Sequence, residues 1–403
     1  MKKIVLLASI LAMTSGAFAQ RGKSYWNPVL ESEIQNPGER TIIPEKYKTY
    51  HLSAAELKTT LFSAPNENKV SLRNSPVVVE LPLPDGTVQK FRVVEASIMA
   101  PELAAQFPDI KTFSIEGVDD PHASGKLDWT AFGFHGMIRR PSGEVYIDPY
   151  GRNTTSHYIS YLTSDFKKDP QHVHPEIGVR DADQKKSGFG DAEKSMAMIC
   201  SGTKLRTYRL AIACTGEYAK AATGKTAPTT TEILSVVTTT ANRVNGIYET
   251  ELSVRLVLIA NETTLLFGNP STDPFDGNND AGVLIDESQT EITTRIGAAN
   301  FDIGHTFSTG GGGLASLGCV CKAASKASGI TGSSKPVGDP YDVDYVAHEV
   351  GHQFGGNHTF AAATGSCGGN GNSATRVEPG SGITIQAYAG ICQTTNDLAK
   401  NSI

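Results

Sequence analysis

His348-Glu349-Val350-Gly351-His352-Gln353-Phe354-Gly355-Gly356-Asn357-His358 places three of the chain's ten histidines within eleven residues. His348 and His352 are four apart, so on a helix their imidazoles share one face and can grip one ion. Tyr345, Val346 and Ala347 support a helix here, with Asp342 or Asp344 expected to cap its start. Gly355 and Gly356 let the backbone leave the helix sharply, because glycine tolerates positive φ. That turn returns His358 as a third ligand. Three nitrogen ligands with an open fourth position describe a catalytic zinc rather than a closed structural one. Glu349, beside the first ligand, is placed to take a proton from the attacking water and deliver it to a leaving amine. A bare HExxH arises by chance in roughly one chain in a hundred of this length, and the added Gly and third His lower that several hundredfold.

Working outward, Leu205–Cys214 and Ser253–Ala260 read as strands, the second a near-continuous apolar run expected to be buried on both faces. Thr231–Tyr248 carries apolar residues at helical spacing. Asp280–Asn300 reads as another helix with Asp280 as its cap, and Phe301–Phe307 as a short strand. Strand–helix–strand–helix–strand order predicts an α/β domain.

The first half differs. Lys2 and Lys3, the apolar run Ile4–Met13 and Ala17-Phe18-Ala19 form a secretory signal, residues 1–19, too short to span a membrane comfortably. The mature protein is expected to be secreted and extracellular, beginning near Gln20, with no stable membrane insertion. Residues 20–165 hold no cysteine and are β-rich. Two apolar runs in Pro76–Ala96 flank a turn at Pro84-Asp85-Gly86-Thr87, and WTAFGFHGMI and EVYIDPY flank Pro141-Ser142-Gly143. Trp26, Trp129, Phe132 and Phe134 are expected in that region's core. Residues 166–196 are polar and turn-rich, a linker. The 39% apolar content is globular, and a net charge of −6 argues against nucleic-acid binding.

Six cysteines in an exported chain predict disulfides. Cys367 and Cys392 bracket one glycine-rich loop and are the favoured pair. Cys319 and Cys321 would share one face of a strand and seek distant partners. Cys200, just before the first strand of the second half, is a candidate latency thiol, since a thiolate could fill the open zinc position; parity favours a disulfide instead.

The pattern H-E-x-x-H-x-x-G-x-x-H is that of the metzincin metallopeptidases. Its flanks, with LRTYRLAIACTGEYA at Leu205–Ala219 and FDIGHTFSTGGGGLASLG at Phe301–Gly318, resemble the reprolysin-like bacterial branch of that clan. The resemblance implies a catalytic domain over residues 197–403, with a twisted mixed sheet and two long helices, the second carrying the ligands. It implies hydrolysis of internal peptide bonds in protein substrates, with the region before it a propeptide. It also implies a tight turn under the zinc, where Gln386 stands in place of the usual Met. Tyr388 follows, to contact zinc or steady an oxyanion, or else as a buried structural tyrosine. Gly313, Leu314 and Ala315 match the edge strand that pairs with extended substrate. Thr359 departs from the Asp that reprolysins proper carry after the third histidine.

The expected organisation is a signal, a β-rich propeptide, a linker with cleavage near Arg180, Lys185 or Lys186, and a zinc domain. The chain stops fifteen residues after Tyr388, short of where related enzymes continue, so a truncated domain is expected. Asp273–Asp280 is rich in hard oxygen ligands, making Ca2+ a lesser expectation beside a capped turn. His172 and His174 are a weak metal candidate, and His305 is read as a packed, partner-bonded histidine. Two rival functions stand beside the protease: an exported binding protein that no longer cuts, favoured by Gln386, and a zinc hydrolase of non-peptide substrates.

Overall fold

A computed structural model describes residues 24–152, 154–166, 178–180, 204–310, 312–392 and 402. The expected signal at residues 1–19, with His172, His174, Lys185, Lys186 and Cys200, lies outside the described residues.

Nine strands form the first sheet: β1 (Trp26–Pro28), β2 (Lys48–Leu52), β3 (Val78–Pro82), β4 (Val88–Glu95), β5 (Lys111–Gly117), β6 (Ser124–Thr130), β7 (Gly133–Arg139), β8 (Val145–Pro149) and β9 (His157–Leu162). Their order is β1-β2-β9-β8-β7-β6-β5-β4-β3, and every pair is antiparallel. Both expected hairpins are present, as β3–β4 and β7–β8. WTAFGFHGMI is not one strand, however. Gly133, at φ +95°, lets the chain turn back there, so the run is split between β6 and β7. The sheet curls until the Trp26 Nε1–H donates to Glu80 O on β3, at 2.9 Å. Its concave side packs Trp26, Phe91, Phe113, Phe134 and Tyr158, with α1 (Ala54–Phe62) over it; a short α2 (Pro101–Gln106) connects β4 to β5. Trp129 joins that core, while Phe132 is only half-buried.

The second sheet holds β10 (Gly178–Arg180), β11 (Arg206–Cys214), β12 (Val254–Leu258), β13 (Ile303–Ser308), β14 (Gly313–Ser316) and β15 (Gly329–Gly332). The order is β10-β14-β15-β13-β11-β12, parallel except where β14 meets β15. The mixed α/β architecture is as expected. Three differences are informative. First, β12 is an edge strand with alternating burial, so it is not covered evenly on both faces. Second, the segment read as linker contributes β10, which runs parallel to β14 with Gly178 opposite Leu314 and Arg180 opposite Ser316. Third, the ligand-bearing helix is not the second long one. Two long helices, α4 (Thr230–Glu251) and α5 (Ala281–Ile296), follow the short α3 (Gly216–Thr223) and pack on the sheet. Asp280 caps α5 as expected, accepting from Gly282 N and Val283 N.

The first two ligand histidines follow on a composite helix: one turn at α6 (Asp339–Tyr341), a π-helical stretch Asp342–Ala347, then α7 (His348–Phe354). Asp342 therefore does not cap the start of the ligand helix. It lies inside the helix, 2% exposed, accepting from Thr240 Oγ1 at 2.6 Å and from Arg243 Nη1 at 2.9 Å. Asp344 also lies inside the π-helical stretch and accepts from Ser402 N. No helix among the described residues is long and apolar enough to cross a membrane.

Candidate metal centre

The three histidines converge. His348 and His352 occupy α7 four residues apart, and Gly355, at φ +105°, ends the helix in the left-handed conformation that glycine permits. The chain then brings His358 back. The Nε2 atoms lie 2.9 Å (His348–His352), 3.1 Å (His352–His358) and 3.3 Å (His348–His358) apart. Each Nδ1–H donates to a main-chain carbonyl: His348 to Ile385 O at 2.5 Å, His352 to Gly356 O at 2.6 Å, His358 to Asn370 O at 2.6 Å. With the protons held at Nδ1, three Nε2 lone pairs face a common point, which is repulsive unless a cation sits among them. A tetrahedral zinc with Zn–N near 2.0–2.1 Å separates its nitrogens by roughly 3.3 Å. The donor set fits that ion. All three side chains are buried.

Glu349 is fully buried on the same helix. Its carboxyl lies against β14: a Cβ placed on Gly313 would sit 1.8 Å from Glu349 Oε1. Of the expected substrate-strand residues Gly313, Leu314 and Ala315, all on β14, Gly313 lies against the expected base. Leu314 pairs Ile330 on one side and Gly178 of β10 on the other.

Gln386 lies beneath the histidines. Its Nε2 is 3.3 Å from Gly356 O and 3.2 Å from His352 Nδ1, and a Cβ on Gly351 would meet its Oε1 at 2.5 Å. That Oε1 is buried without a hydrogen-bond partner among the described residues. Tyr388 is buried with its ring 4.8 Å from His358 and 4.4 Å from Phe360.

The residues that hold the ligands were mostly missed from sequence. Ile385, Gly356 and Asn370 act through carbonyls, which leave no side-chain signature. Glu378 has one. Its carboxylate accepts from Thr359 Oγ1 at 2.5 Å, Ile383 N at 2.7 Å and Thr384 N at 3.1 Å, and also from Thr384 Oγ1. These bonds to the charged form outweigh partial burial and hold its pKa below the usual range. Glu378 ties the segment after the third ligand to the Gln386 turn, and Thr359 at an expected Asp position is the available clue. His305 is paired as read: Nδ1–H donates to Gln353 Oε1 and Nε2 accepts from Thr331 Oγ1, both at 2.8 Å. Desolvation lowers its pKa to about 4.

Cys367 and Cys392 form a disulfide. Cys214, Cys319 and Cys321 are free thiols. Cys319 and Cys321 lie in turns after β14, not on one strand face, and Cys321 has φ +65°. The expected calcium loop is a capped turn. Asp273 accepts from Gly216 N and Phe275 N, while Glu287 accepts from Asp276 N and Gly277 N. Those carboxylates serve backbone amides, and the structure gives calcium no support.

No curated protein matches the sequence. Among solved structures, the chain is similar to metalloproteinase-II from Bacteroides fragilis, at 13% identity and a TM-score of 0.42, over 78% of this chain and 92% of that one. Residues 204–403 match the family described as Metallo-peptidase family M12B Reprolysin-like. Through those residues the chain belongs to the reprolysin-like metallopeptidases, a family whose members are zinc-dependent peptidases.

Proposed function

We propose that this chain is a secreted zinc endopeptidase made as a latent precursor. The observation that carries the reading is the trio of Nε2 atoms with every Nδ1–H committed to a carbonyl. His348, His352 and His358 would hold the zinc, which when bound supplies Lewis acidity to polarise a carbonyl and acidify a water. Glu349 takes the water's proton and passes it to the leaving amine. Its seat against Gly313 supports this role, because a peptide paired along β14 would present its scissile bond beside that carboxyl. Export rests on residues 1–19.

Residues 20–165 are the propeptide, and β10 supports latency. Gly178–Arg180 occupies the outer side of β14, where an extended substrate would add. Cleavage at Arg180, Lys185 or Lys186 would free that edge.

Metal analysis of the purified protein with a casein-cleavage assay, before and after chelator and zinc, tests the activity. One zinc per chain and chelator-reversible hydrolysis are expected; zinc-free, inert protein overturns the reading. Glu349→Ala retaining zinc but losing about 10²–10⁴-fold in rate separates a peptidase from a binding protein. The binding-protein reading draws on Gln386 Oε1, unpartnered among the described residues, a cost that an active site under selection would be expected to shed.

A further inference from the structure

Helix α4 has no solvent face through its middle. From Ile233 to Tyr248 nearly every residue is buried, including Thr238, Thr240, Asn242, Arg243 and Asn245. A helix on the surface of one sheet would expose a polar stripe. Here the second face is covered by the N-terminal sheet, and Thr239, Asn242 and Arg243 bond across the junction. Arg243 bridges Asp342 of the composite helix and Asp148 of β8, and Asp148 also accepts from Tyr161 Oη–H at 2.8 Å. Asn242 Nδ2 donates to Leu127 O at 3.0 Å and Thr239 Oγ1 to Asp128 at 2.9 Å. Lys126, 5% exposed, reaches Glu249 at 2.7 Å. Gly246 admits the Met137 sulfur, which would lie 3.0 Å from a Cβ there. The backbone joins too: Leu258 N donates to Ile98 O and Ala100 N to Leu258 O, both at 2.8 Å, so residues 98–100 pair alongside the end of β12. Met137, Tyr146, Ile159 and Tyr161 belong to the same apolar cluster as Val244, Leu256 and Val350.

This junction is at β12, one edge of the six-stranded sheet, whereas β14 lies beyond three intervening strands, beside β10 at the other edge. The N-terminal domain and a substrate on β14 therefore do not compete for space. We infer that the N-terminal domain is a lasting non-covalent subunit of the peptidase domain, not a cover that is shed. Cutting the connection releases β10 from β14 and leaves the two polypeptides locked through α4 and β12. The inference rests on the latency reading only for what the cut accomplishes; the locking stands on the junction itself.

The test inserts a recognition site for a sequence-specific protease between Lys185 and Lys186 of the full chain, then nicks the purified protein. Size-exclusion chromatography at micromolar concentration reads retention, and casein hydrolysis reads opening of the edge. Co-elution of both fragments at the size of the intact chain is expected. Fragments that part overturn the inference, whatever the activity does. Co-elution without gained activity leaves it standing and sinks latency through β10. Trypsin nicking of the unaltered chain, read the same way, guards against misfolding caused by the insertion. Glu67→Lys, which opposes Arg255 across the rim of the junction, is expected to weaken retention about tenfold in the nicked protein. No change in retention there, with the fragments still together, would place the hold in the apolar and Arg243 contacts alone and overturn the role given to the rim.

Discussion

Gly313 and Glu349 are complementary: the strand lacks a side chain where the helix carboxyl fills the space, since a Cβ on Gly313 would lie 1.8 Å from Glu349 Oε1. A methyl group there must displace Glu349, because the competing atoms belong to a fully buried side chain. Gly313→Ala should therefore lower kcat/KM on a casein-derived peptide about 100-fold or more while zinc content, read by metal analysis, stays at one per chain. Equal loss of zinc and activity would mean that the glycine serves the fold instead.

Gln386→Met should stabilise the protein. The buried Oε1 has no partner among the described residues, and such an atom costs about 1–3 kcal/mol. Methionine is similarly long and unbranched, and carries no such demand. A higher urea midpoint at unchanged slope, with zinc retained, is the expected result.

The disulfide Cys367–Cys392 closes a loop that contains Asn370, whose carbonyl orients His358. Replacing both cysteines with serine should cost about 3 kcal/mol from the closed loop of this length. It should also weaken zinc retention against a competing chelator about tenfold, because the His358 acceptor is less fixed.

Glu378→Ala should act on the metal without touching it. Four donors from Thr359, Ile383 and Thr384 lose their common acceptor, so the segment after His358 and the Gln386 turn are no longer tied. Zinc affinity is expected to fall about 10–100-fold in a chelator competition, with Glu378→Gln recovering part of it.

Acid should destabilise the protein through His305. Its folded pKa, about 4, lies below the ordinary histidine value, so the unfolded chain binds the extra proton first. That lowers stability as pH falls from about 6.5 to 4, by roughly 3 kcal/mol for this group. Subtracting the thermal-melt profile of His305→Asn from that of the parent chain isolates the contribution; a flat difference would refute it.

Much of this was legible in the sequence because it depends on local spacing. Four residues on a helix fix His348 against His352, and a glycine at a left-handed turn fixes the return to His358. Asp280 caps α5 for the same local reason. What sequence did not show depends on partners distant along the chain. Asp342 looked like a cap, yet Arg243 and Thr240 draw it inside. Cys319 and Cys321 followed a strand-like run, but the chain turns after Ser316. Residues 178–180 were read as linker on composition, and pairing with β14 is a property of the edge they meet.

The π-helical stretch Asp342–Ala347 sets the angular phase of everything after it. An α-helix advances about 100° per residue, so one residue gained or lost between Arg243's partner and the first imidazole would swing His348 and His352 away from His358. The segment thus works as a fixed-length spacer, intolerant of changed length.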